Sequence, residues 1–441
     1  MTQTAPDGQT GAPDGQDPNR DLLDDCVHCG FCLPACPTYV ITGEEMESPR
    51  GRIYLMDLAA RGEISVDEAF GSRIDSCLGC LACVSTCPSG VRYDKLIESA
   101  RPQVERDVPR SFADRLFRAL IFRLFPYPRR LWLAALLGLL YRRLGLRGLL
   151  RRTGTIGRLS PRLRSLEALL PPVTMRALLT RIPARMAPAG EARLRVGLLA
   201  GCAQRVFFGD VNAATIRVLA AEGCDVYVPQ DRQCCGALSV HAGHEADGLA
   251  MARATIEMFE RYELDLVVAN VAGCGSALKE YADLLSSEPA YAERAAAFSA
   301  RVRDVSELLA ELPARARRHP IAKRVAYHDA CHLANAQGIR SQPRQVLAGI
   351  PGLTVEDVAE AHLCCGSAGI YNLVQPEKAE QLGRRKAAHL QAVKPDVVAT
   401  ANAGCLLQIR RFLDEGIPVV HPVQLLDASI RGVGLLEEDA C

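Results

Sequence analysis

The fold is decided by two cysteine runs, Cys26-Val-His-Cys29-Gly-Phe-Cys32-Leu-Pro-Ala-Cys36-Pro37 and Cys77-Leu-Gly-Cys80-Leu-Ala-Cys83-Val-Ser-Thr-Cys87-Pro88. Both have the C-x-x-C-x-x-C-x-x-x-C-P spacing that binds [4Fe–4S] clusters in bacterial ferredoxins. Three thiolates at i, i+3 and i+6 bind one cube, and the fourth cysteine of a run normally binds the other cube. The spacing therefore predicts two clusters, one on Cys26, Cys29, Cys32 and Cys87, the other on Cys77, Cys80, Cys83 and Cys36.

The alternative for these runs is a pair of zinc knuckles with a structural role, because C-x-x-C pairs also suit zinc. Zinc sites use four ligands in two pairs, whereas each run here has a third cysteine three residues on and a proline after its fourth. The pattern therefore favours clusters and electron transfer. No C-x-x-C-H occurs in the sequence, so covalent c-type haem is not expected.

Length and composition indicate a folded protein of several domains. The chain has 441 residues, and at about 150 residues per domain this predicts roughly three domains. Hydrophobic residues make up 49% and charged residues 23%, which excludes a wholly disordered, collagenous or coiled-coil chain. Its eighteen cysteines, with no basic start and apolar stretch at the N-terminus, favour reduced, metal-binding thiols in a cytoplasmic protein over a secreted disulfide scaffold.

The net charge of the whole chain is only +1, but one segment is strongly basic. Between Arg110 and Arg185 there are seventeen arginines but only two acidic residues, Asp114 and Glu167. Three interpretations stay open: the segment lies on the anionic inner face of the cell membrane, docks on an acidic partner subunit, or forms a solvated face of a helical linker. Its longest charge-free run has 11 residues, too few for the roughly 20 that span a bilayer.

Apolar residues recur at helical spacing at the start of this segment, from Phe112 to Phe125. We expect an amphipathic helix there, with Arg115 and Arg118 on the face opposite the apolar residues. The nearly balanced charge of the whole chain gives no reason to expect nucleic acid as a partner.

The C-terminal part of the chain contains a duplication. Its landmarks are Cys202, Cys234-Cys235-Gly236 and Cys274, which recur as Cys331, Cys364-Cys365-Gly366 and Cys405 at offsets of 129, 130 and 131 residues. Apolar runs at 194–200, 265–269, 325–327 and 396–399 are typical of buried strands, and each leads into a cysteine-bearing turn and a more helical segment. This alternation predicts two α/β units with largely parallel sheets.

Four thiols in each repeat are candidates for a further metal or redox centre. Gly236 and Gly366 can adopt positive φ, which would turn the backbone tightly enough to direct both adjacent sulfurs to one centre. The residues leave open an iron–sulfur cluster, a zinc ion, a redox-active thiol pair, or buried structural cysteines. His328 and His332 flank Cys331, and either could be a ligand or a proton relay near that centre, but we expect a histidine hydrogen-bonded at a strand end.

The predicted fold class is α+β and multidomain: a helical ferredoxin-like domain with two [4Fe–4S] clusters, followed by two duplicated α/β units with Cys-Cys-Gly (CCG) motifs. The expected boundaries are a disordered tail at 1–20, the ferredoxin-like domain at 21–108, a basic amphipathic helical linker at 109–192, and the two cysteine-rich CCG domains at 193–318 and 319–441.

Four motifs carry a resemblance to a known family. They are Cys-Val-His-Cys-Gly-Phe-Cys from Cys26, Glu-Ser-Pro-Arg-Gly-Arg-Ile-Tyr-Leu from Glu47, Cys-Pro-Ser-Gly-Val-Arg-Tyr from Cys87, and Cys-Cys-Gly-Ser-Ala-Gly-Ile-Tyr-Asn-Leu from Cys364. Together they closely resemble the iron–sulfur subunits of glycolate oxidase over nearly everything after Asp21. The stretch from Glu47 discriminates best within a wider group that includes the anaerobic glycerol-3-phosphate dehydrogenase small subunit and heterodisulfide reductase.

The resemblance implies an electron-transfer subunit of a multi-subunit oxidoreductase. A partner flavoprotein containing FAD would oxidise glycolate to glyoxylate, and this chain would pass the electrons to a membrane quinone or similar acceptor. We find no G-x-G-x-x-G that opens a helix after a strand, and therefore no dinucleotide fingerprint in this chain. The alternatives are a subunit of a related glycerol-3-phosphate or lactate dehydrogenase, or a disulfide reductase similar to heterodisulfide reductase.

Overall fold

A computed structural model describes residues 20–145, 161–169, 175–179, 181–231 and 233–434, with the single residues 148, 150 and 152. The tail predicted at 1–20 lies outside the described residues except for Arg20. Helices and two separate β-sheets alternate along the described chain, so the predicted α+β multidomain class is confirmed.

The N-terminal part is helical. Its helices are α1 (Arg20–Asp24), α2 (Pro37–Thr42), α3 (Pro49–Ala60), α4 (Glu68–Asp75), α5 (Ala82–Thr86) and α6 (Tyr93–Asp107), with a 3₁₀ turn at Glu45–Glu47. Proline is tolerated at a first helical position because that N–H has no partner within the helix, and α2 and α3 both begin this way. Ser48 caps α3 by accepting a hydrogen bond from the Gly51 N–H at 3.0 Å. The core of this part includes Ile53, Ile74 and Leu96.

The basic segment forms helices α7 (Phe112–Leu124), α8 (Pro128–Arg143), α9 (Pro161–Ala168) and α10 (Met175–Leu179). The expected helix near Phe112 is therefore present, but the prediction for Arg118 is wrong. Its side chain is only 9% exposed and forms ion pairs with Asp75, Glu105 and Asp114. Two of these acids lie before the segment, in α4 and α6. The ion pairs with the three carboxylates offset the cost of burying the guanidinium. Within the described residues, no helix is both long enough and apolar enough to cross a membrane.

The first repeat contains a five-stranded sheet in the order β1-β3-β2-β4-β5. The strands are parallel except for β1, which is antiparallel to β3. The elements are β1 (Arg185–Met186), β2 (Leu194–Leu198), α11 (Ala203–Phe207), α12 (Gly209–Ala221), β3 (Cys224–Tyr227), α13 (Ala237–Val240), α14 (Glu245–Glu260), β4 (Leu266–Ala269), α15 (Ala272–Leu284), α16 (Ala292–Ala300), β5 (Val302–Asp304) and α17 (Val305–Glu311).

The second repeat has a four-stranded parallel sheet in the order β7-β6-β8-β9. The elements are β6 (Lys323–His328), a π-helical turn (His332–Ala336), α18 (Gln342–Ala348), β7 (Leu353–Glu356), α19 (Tyr371–Val374), α20 (Pro376–Ala392), β8 (Val397–Thr400), α21 (Ala403–Arg410), β9 (Val419–Val420) and α22 (Pro422–Arg431). The order matches β3-β2-β4-β5 of the first repeat, and the parallel sheets predicted from the duplication are confirmed.

The two repeats share one hydrophobic core. Val196 and Leu198 of β2 belong to the same buried cluster as Val325 and Tyr327 of β6. Polar contacts also cross the boundary: the Ala272 N–H donates to the carbonyl of residue 401 at 3.0 Å, and an ion pair of 2.6 Å joins residues 217 and 427. The cysteine-bearing ends of β4 and β8 therefore lie side by side.

Candidate metal centres

One cavity is lined by four predicted ligands. Three come from the first cysteine run, and one comes from the end of the second run. We call Cys26, Cys29, Cys32 and Cys87 the first group, and Cys83 of the second run lines the same cavity. The run bends around this space because His28 and Gly30 both adopt positive φ, at 51° and 85°. Burial raises the pKa of Cys26, and the nearby Cys87 and Cys29 thiolates raise it further. The fold thus brings the last cysteine of the second run to the first run.

The other four predicted ligands, Cys36, Cys77, Cys80 and Cys83, are all buried, and we call them the second group. Burial raises the pKa of Cys83 well above its ordinary value, and the thiolates of Cys80, Cys77 and Cys36 add to the effect. Cys32 of the first group contributes as well, so these sulfurs lie close to one another and to the first group. A polynuclear cation that binds four thiolates relieves this repulsion, so the donor set fits a [4Fe–4S] cluster.

The electrostatics of the second group are asymmetric. Burial raises the pKa of Cys77, but the positive charges of Arg52 and Arg101 lower it by more. The pKa of Cys77 therefore lies below the ordinary thiol value. The Gly79 N–H also donates to Cys77 Sγ at 3.3 Å. These groups favour thiolate over thiol, which is the ligand form.

Arg52 belongs to a buried ion network in the stretch that begins at Glu47. Its side chain is 1% exposed, and its guanidinium donates to Glu47 Oε2 at 3.1 Å and Thr38 Oγ1 at 3.2 Å. The Thr38 hydroxyl lies 3.2 Å from Cys36 Sγ. Glu47 also forms ion pairs with Arg73 and Lys378. Sequence reasoning used this stretch to identify a family but missed that it places a buried cation beside the second group.

The four candidate thiols of the first repeat form a chain of close contacts. Cys234 Sγ lies 3.6 Å from Cys202 Sγ, and Cys235 contacts both Cys234 and Cys274. Gly236 has φ +79°, as the adjacent-cysteine turn requires, and a Cβ there would lie 3.1 Å from the Gly248 carbonyl oxygen. Cys274 lies in the first turn of α15, as predicted.

The second repeat has the same arrangement. Cys331 Sγ lies 4.0 Å from Cys364 Sγ, and Cys365 Sγ lies 3.4 Å from Cys405 Sγ. Gly366 adopts φ +85°. The structure therefore brings together the four predicted thiols of each repeat.

The flanking histidines differ from expectation. His328 is 2% exposed, and neither ring nitrogen has a hydrogen-bond partner within the described residues, so the predicted hydrogen-bonded histidine is wrong. The Nδ1 atom of His332 lies 3.6 Å from Cys331 Sγ, and its ring packs against that of His241 at 5.1 Å between centroids.

The second group adjoins the second repeat. After burial, the effect that most raises the pKa of Cys80 is the nearby Cys331 thiolate. Both cysteines pack in one apolar cluster with Cys364. Asn335 Nδ2 donates to the Cys80 carbonyl oxygen at 3.0 Å, and the Lys378 ammonium donates to Ser76 Oγ at 2.6 Å. Polar and apolar contacts thus hold the two thiol sets next to each other.

Comparison with known families gives three matches along the chain. Residues 22–91 match a 4Fe-4S dicluster domain, residues 113–170 match the linker region of the glycolate oxidase iron-sulfur subunit, and residues 196–279 and 325–410 match a cysteine-rich domain named CCG. These matches support iron–sulfur binding by the chain.

Similar proteins cover most of the chain. A probable glycolate oxidase iron-sulfur subunit of Bacillus subtilis is 39% identical over 93% of this chain and 94% of its own length. The glycolate oxidase iron-sulfur subunit of Escherichia coli is 36% identical over 87% of this chain and 89% of its own length. Lactate utilization protein A of Halalkalibacterium halodurans is 29% identical over 54% of this chain and 98% of its own length.

Proposed function

The chain belongs to the family of glycolate oxidase iron–sulfur subunits, and from this premise we propose that it relays electrons within a multi-subunit, flavin-dependent 2-hydroxy-acid oxidase. A flavoprotein subunit with FAD oxidises glycolate to glyoxylate, and the electrons leave through this chain to a quinone or similar acceptor. The domain boundaries expected from the sequence are part of this proposal.

The observation that supports the proposal is the interleaving of the two cysteine runs. Cys83 and Cys87 of the second run line the cavity of the first run, and Cys36 of the first run lies near Cys83. Two-cluster ferredoxins exchange the fourth cysteine of each run in this way. We assign one [4Fe–4S] cluster to each group. When bound, such a cluster accepts and passes on one electron at a time.

The chain's own residues give the two groups different surroundings. Cys29 in the first group is exposed, and the apolar side chains of Val27 and Phe31 beside it are 68% and 63% exposed. Neighbouring exposed apolar side chains are typical of surfaces that contact another protein or a membrane. We assign this surface to the flavoprotein. The buried second group, in contrast, is shielded from water and is stabilised by the Arg52 cation.

We propose that the basic segment contacts the membrane from the cytoplasmic side. The exposed apolar side chains of its two long helices include Phe112, Leu116 and Leu120 on α7 and Leu133, Leu137 and Leu140 on α8. Leucines and phenylalanines beside many arginines are typical of surfaces that bind anionic lipid without spanning the bilayer.

The test is reduction by substrate in the assembled complex. The chain is co-expressed with its flavoprotein subunits, purified without oxygen and mixed with glycolate, and the visible absorbance of the clusters is followed. We expect bleaching in the complex and none with the isolated chain. Parallel mixing with lactate and with glycerol 3-phosphate separates the related dehydrogenases. Bleaching of the isolated chain by glycolate, or none in the complex, would contradict the proposal.

A surface variant tests the docking site. Phe31→Glu places a charge on the exposed apolar surface and should weaken flavoprotein capture at least tenfold without changing the iron content. Leu179→Glu is the control, because Leu179 is similarly exposed, at 65%, but lies on α10. If both variants capture the flavoprotein equally well, the flavoprotein does not bind at the Phe31 surface.

A further inference from the structure

A buried histidine in the second repeat has no hydrogen-bonding partner for its ring. His328 ends β6 and is 2% exposed, and both of its ring nitrogens are unpaired within the described part of the chain. Burying polar groups in this way costs free energy, because the hydrogen bonds to water are lost and not replaced. A bound ion or molecule that contacts the His328 ring would offset this cost.

The ring lies next to two buried thiols. A ring nitrogen of His328 and the sulfurs of Cys365 and Cys405 all lie within 4.8 Å of one another. The two sulfurs are 3.4 Å apart. On a tetrahedral ion with metal–sulfur bonds of about 2.3 Å, two thiolate sulfurs lie about 3.8 Å from each other. The spacing is therefore close to that of two ligands on one ion.

This cluster differs from the other thiol sets. Over the residues that the structure describes, it is the single group of three His, Cys, Asp or Glu side chains that meets this 4.8 Å spacing. The first repeat lacks the imidazole, because Leu199 stands 129 residues before His328, at the offset that relates Cys202 to Cys331. The two repeats therefore offer different donor sets.

A buried cation lies beside this cluster. The Lys386 ammonium is itself buried and donates to the Glu360 carbonyl oxygen at 2.6 Å. Its positive charge lies close to Cys364 and Cys365.

We propose that the second repeat binds one zinc ion through His328, Cys365 and Cys405. Thiolate and imidazole together are ligands that zinc prefers, and binding releases the two thiol protons. Zinc does not change its oxidation state, so this centre transfers no electrons, and three protein ligands leave its fourth coordination position open. It fixes the loops of the second repeat beside Cys331 and hence beside the second group. The inference does not depend on the proposed electron-transfer function.

The test compares metal contents of the full chain. Wild type and His328→Leu are purified from medium containing iron and zinc, and both metals are counted by mass spectrometry. Leucine is the residue of the first repeat at this position, so it is a matched replacement. We expect zinc to fall by about one ion per chain with iron unchanged. His328→Cys, which restores a soft ligand, should recover the zinc, and His362→Leu, at an exposed histidine, should have no effect.

Zinc X-ray absorption of the wild type provides a readout that does not depend on how the variants fold. We expect a first shell of sulfur with the multiple scattering of an imidazole. Three results would overturn the proposal: zinc content unchanged in His328→Leu, a zinc spectrum without imidazole, or loss of about four iron atoms in His328→Leu, which would assign a cluster to this repeat.

Discussion

Replacing Arg52 by methionine should lower the reduction potential of the cluster held by the second group. The Arg52 guanidinium and Cys36 Sγ each lie 3.2 Å from Thr38 Oγ1, so they are at most about 6.4 Å apart. For a charge about 8 Å from the cluster centre and an effective dielectric constant of about 20, the interaction is about 2 kcal/mol. For one electron this corresponds to a shift of about 90 mV.

The assay is an anaerobic potentiometric titration of the full chain, followed by electron paramagnetic resonance of the reduced clusters. The control is Arg61→Met, because Arg61 lies just after α3 but is solvent-exposed and pairs with Asp57 on the surface. Its loss should shift either potential by less than about 10 mV, since exposed charges are screened. The potential of the first group's cluster should move less than that of the second in Arg52→Met.

Removing Arg52 also weakens the pairing of Glu47, which is 3% exposed but keeps Arg73 and Lys378 as partners. The double variant Arg52→Met, Glu47→Gln separates the two effects. Because it removes a negative charge as well, its potential should fall less than that of the single variant. If Arg52→Met folds with its full iron content and both potentials stay within about 20 mV of the parent, the electrostatic role of Arg52 is refuted.

Three further outcomes are expected. Burial and the nearby Glu280 raise the pKa of Glu98 to about 7 from 4.5, so the folded state favours the protonated form of Glu98. The free energy of unfolding should therefore fall as the pH rises from about 5 through 7. Urea titrations of Glu98→Gln should show a smaller fall. Lys378→Met should lower the free energy of unfolding by about 1 to 2 kcal/mol, because it removes charged hydrogen bonds between domains, whereas an unchanged urea midpoint would contradict that role. Leu116→Glu with Leu137→Glu should reduce co-sedimentation with anionic vesicles at least fivefold, and equal sedimentation would remove the membrane contact from α7 and α8.

Patterns with a short period could be predicted from the sequence. The buried strands β2, β4, β6 and β8 were expected from their apolar runs, and all four are present. The cysteine-bearing turns that follow them were expected as well, because adjacent cysteines and a glycine leave the backbone few conformations.

Features that depend on contacts distant in sequence could not be predicted. Arg118 was placed opposite the apolar face, but α7 turns it inward, where Asp75 and Glu105 pair with it. Lys378 reaches Glu47 across 331 residues, and nothing in its local sequence indicates that contact. The isolation of His328 likewise depends on which groups the fold leaves unpaired around it.

The most direct test of the central claim is anaerobic analysis of iron and acid-labile sulfide in the purified full chain, with resonance spectra of the reduced protein. Two clusters in the ferredoxin-like domain predict about eight iron atoms and eight sulfides, with the magnetic coupling of two neighbouring centres. Replacing Cys87 by serine should disturb the cluster of Cys26, Cys29 and Cys32, even though 55 residues separate Cys87 from Cys32. A colourless chain that contains zinc but no iron at these eight cysteines would contradict the account.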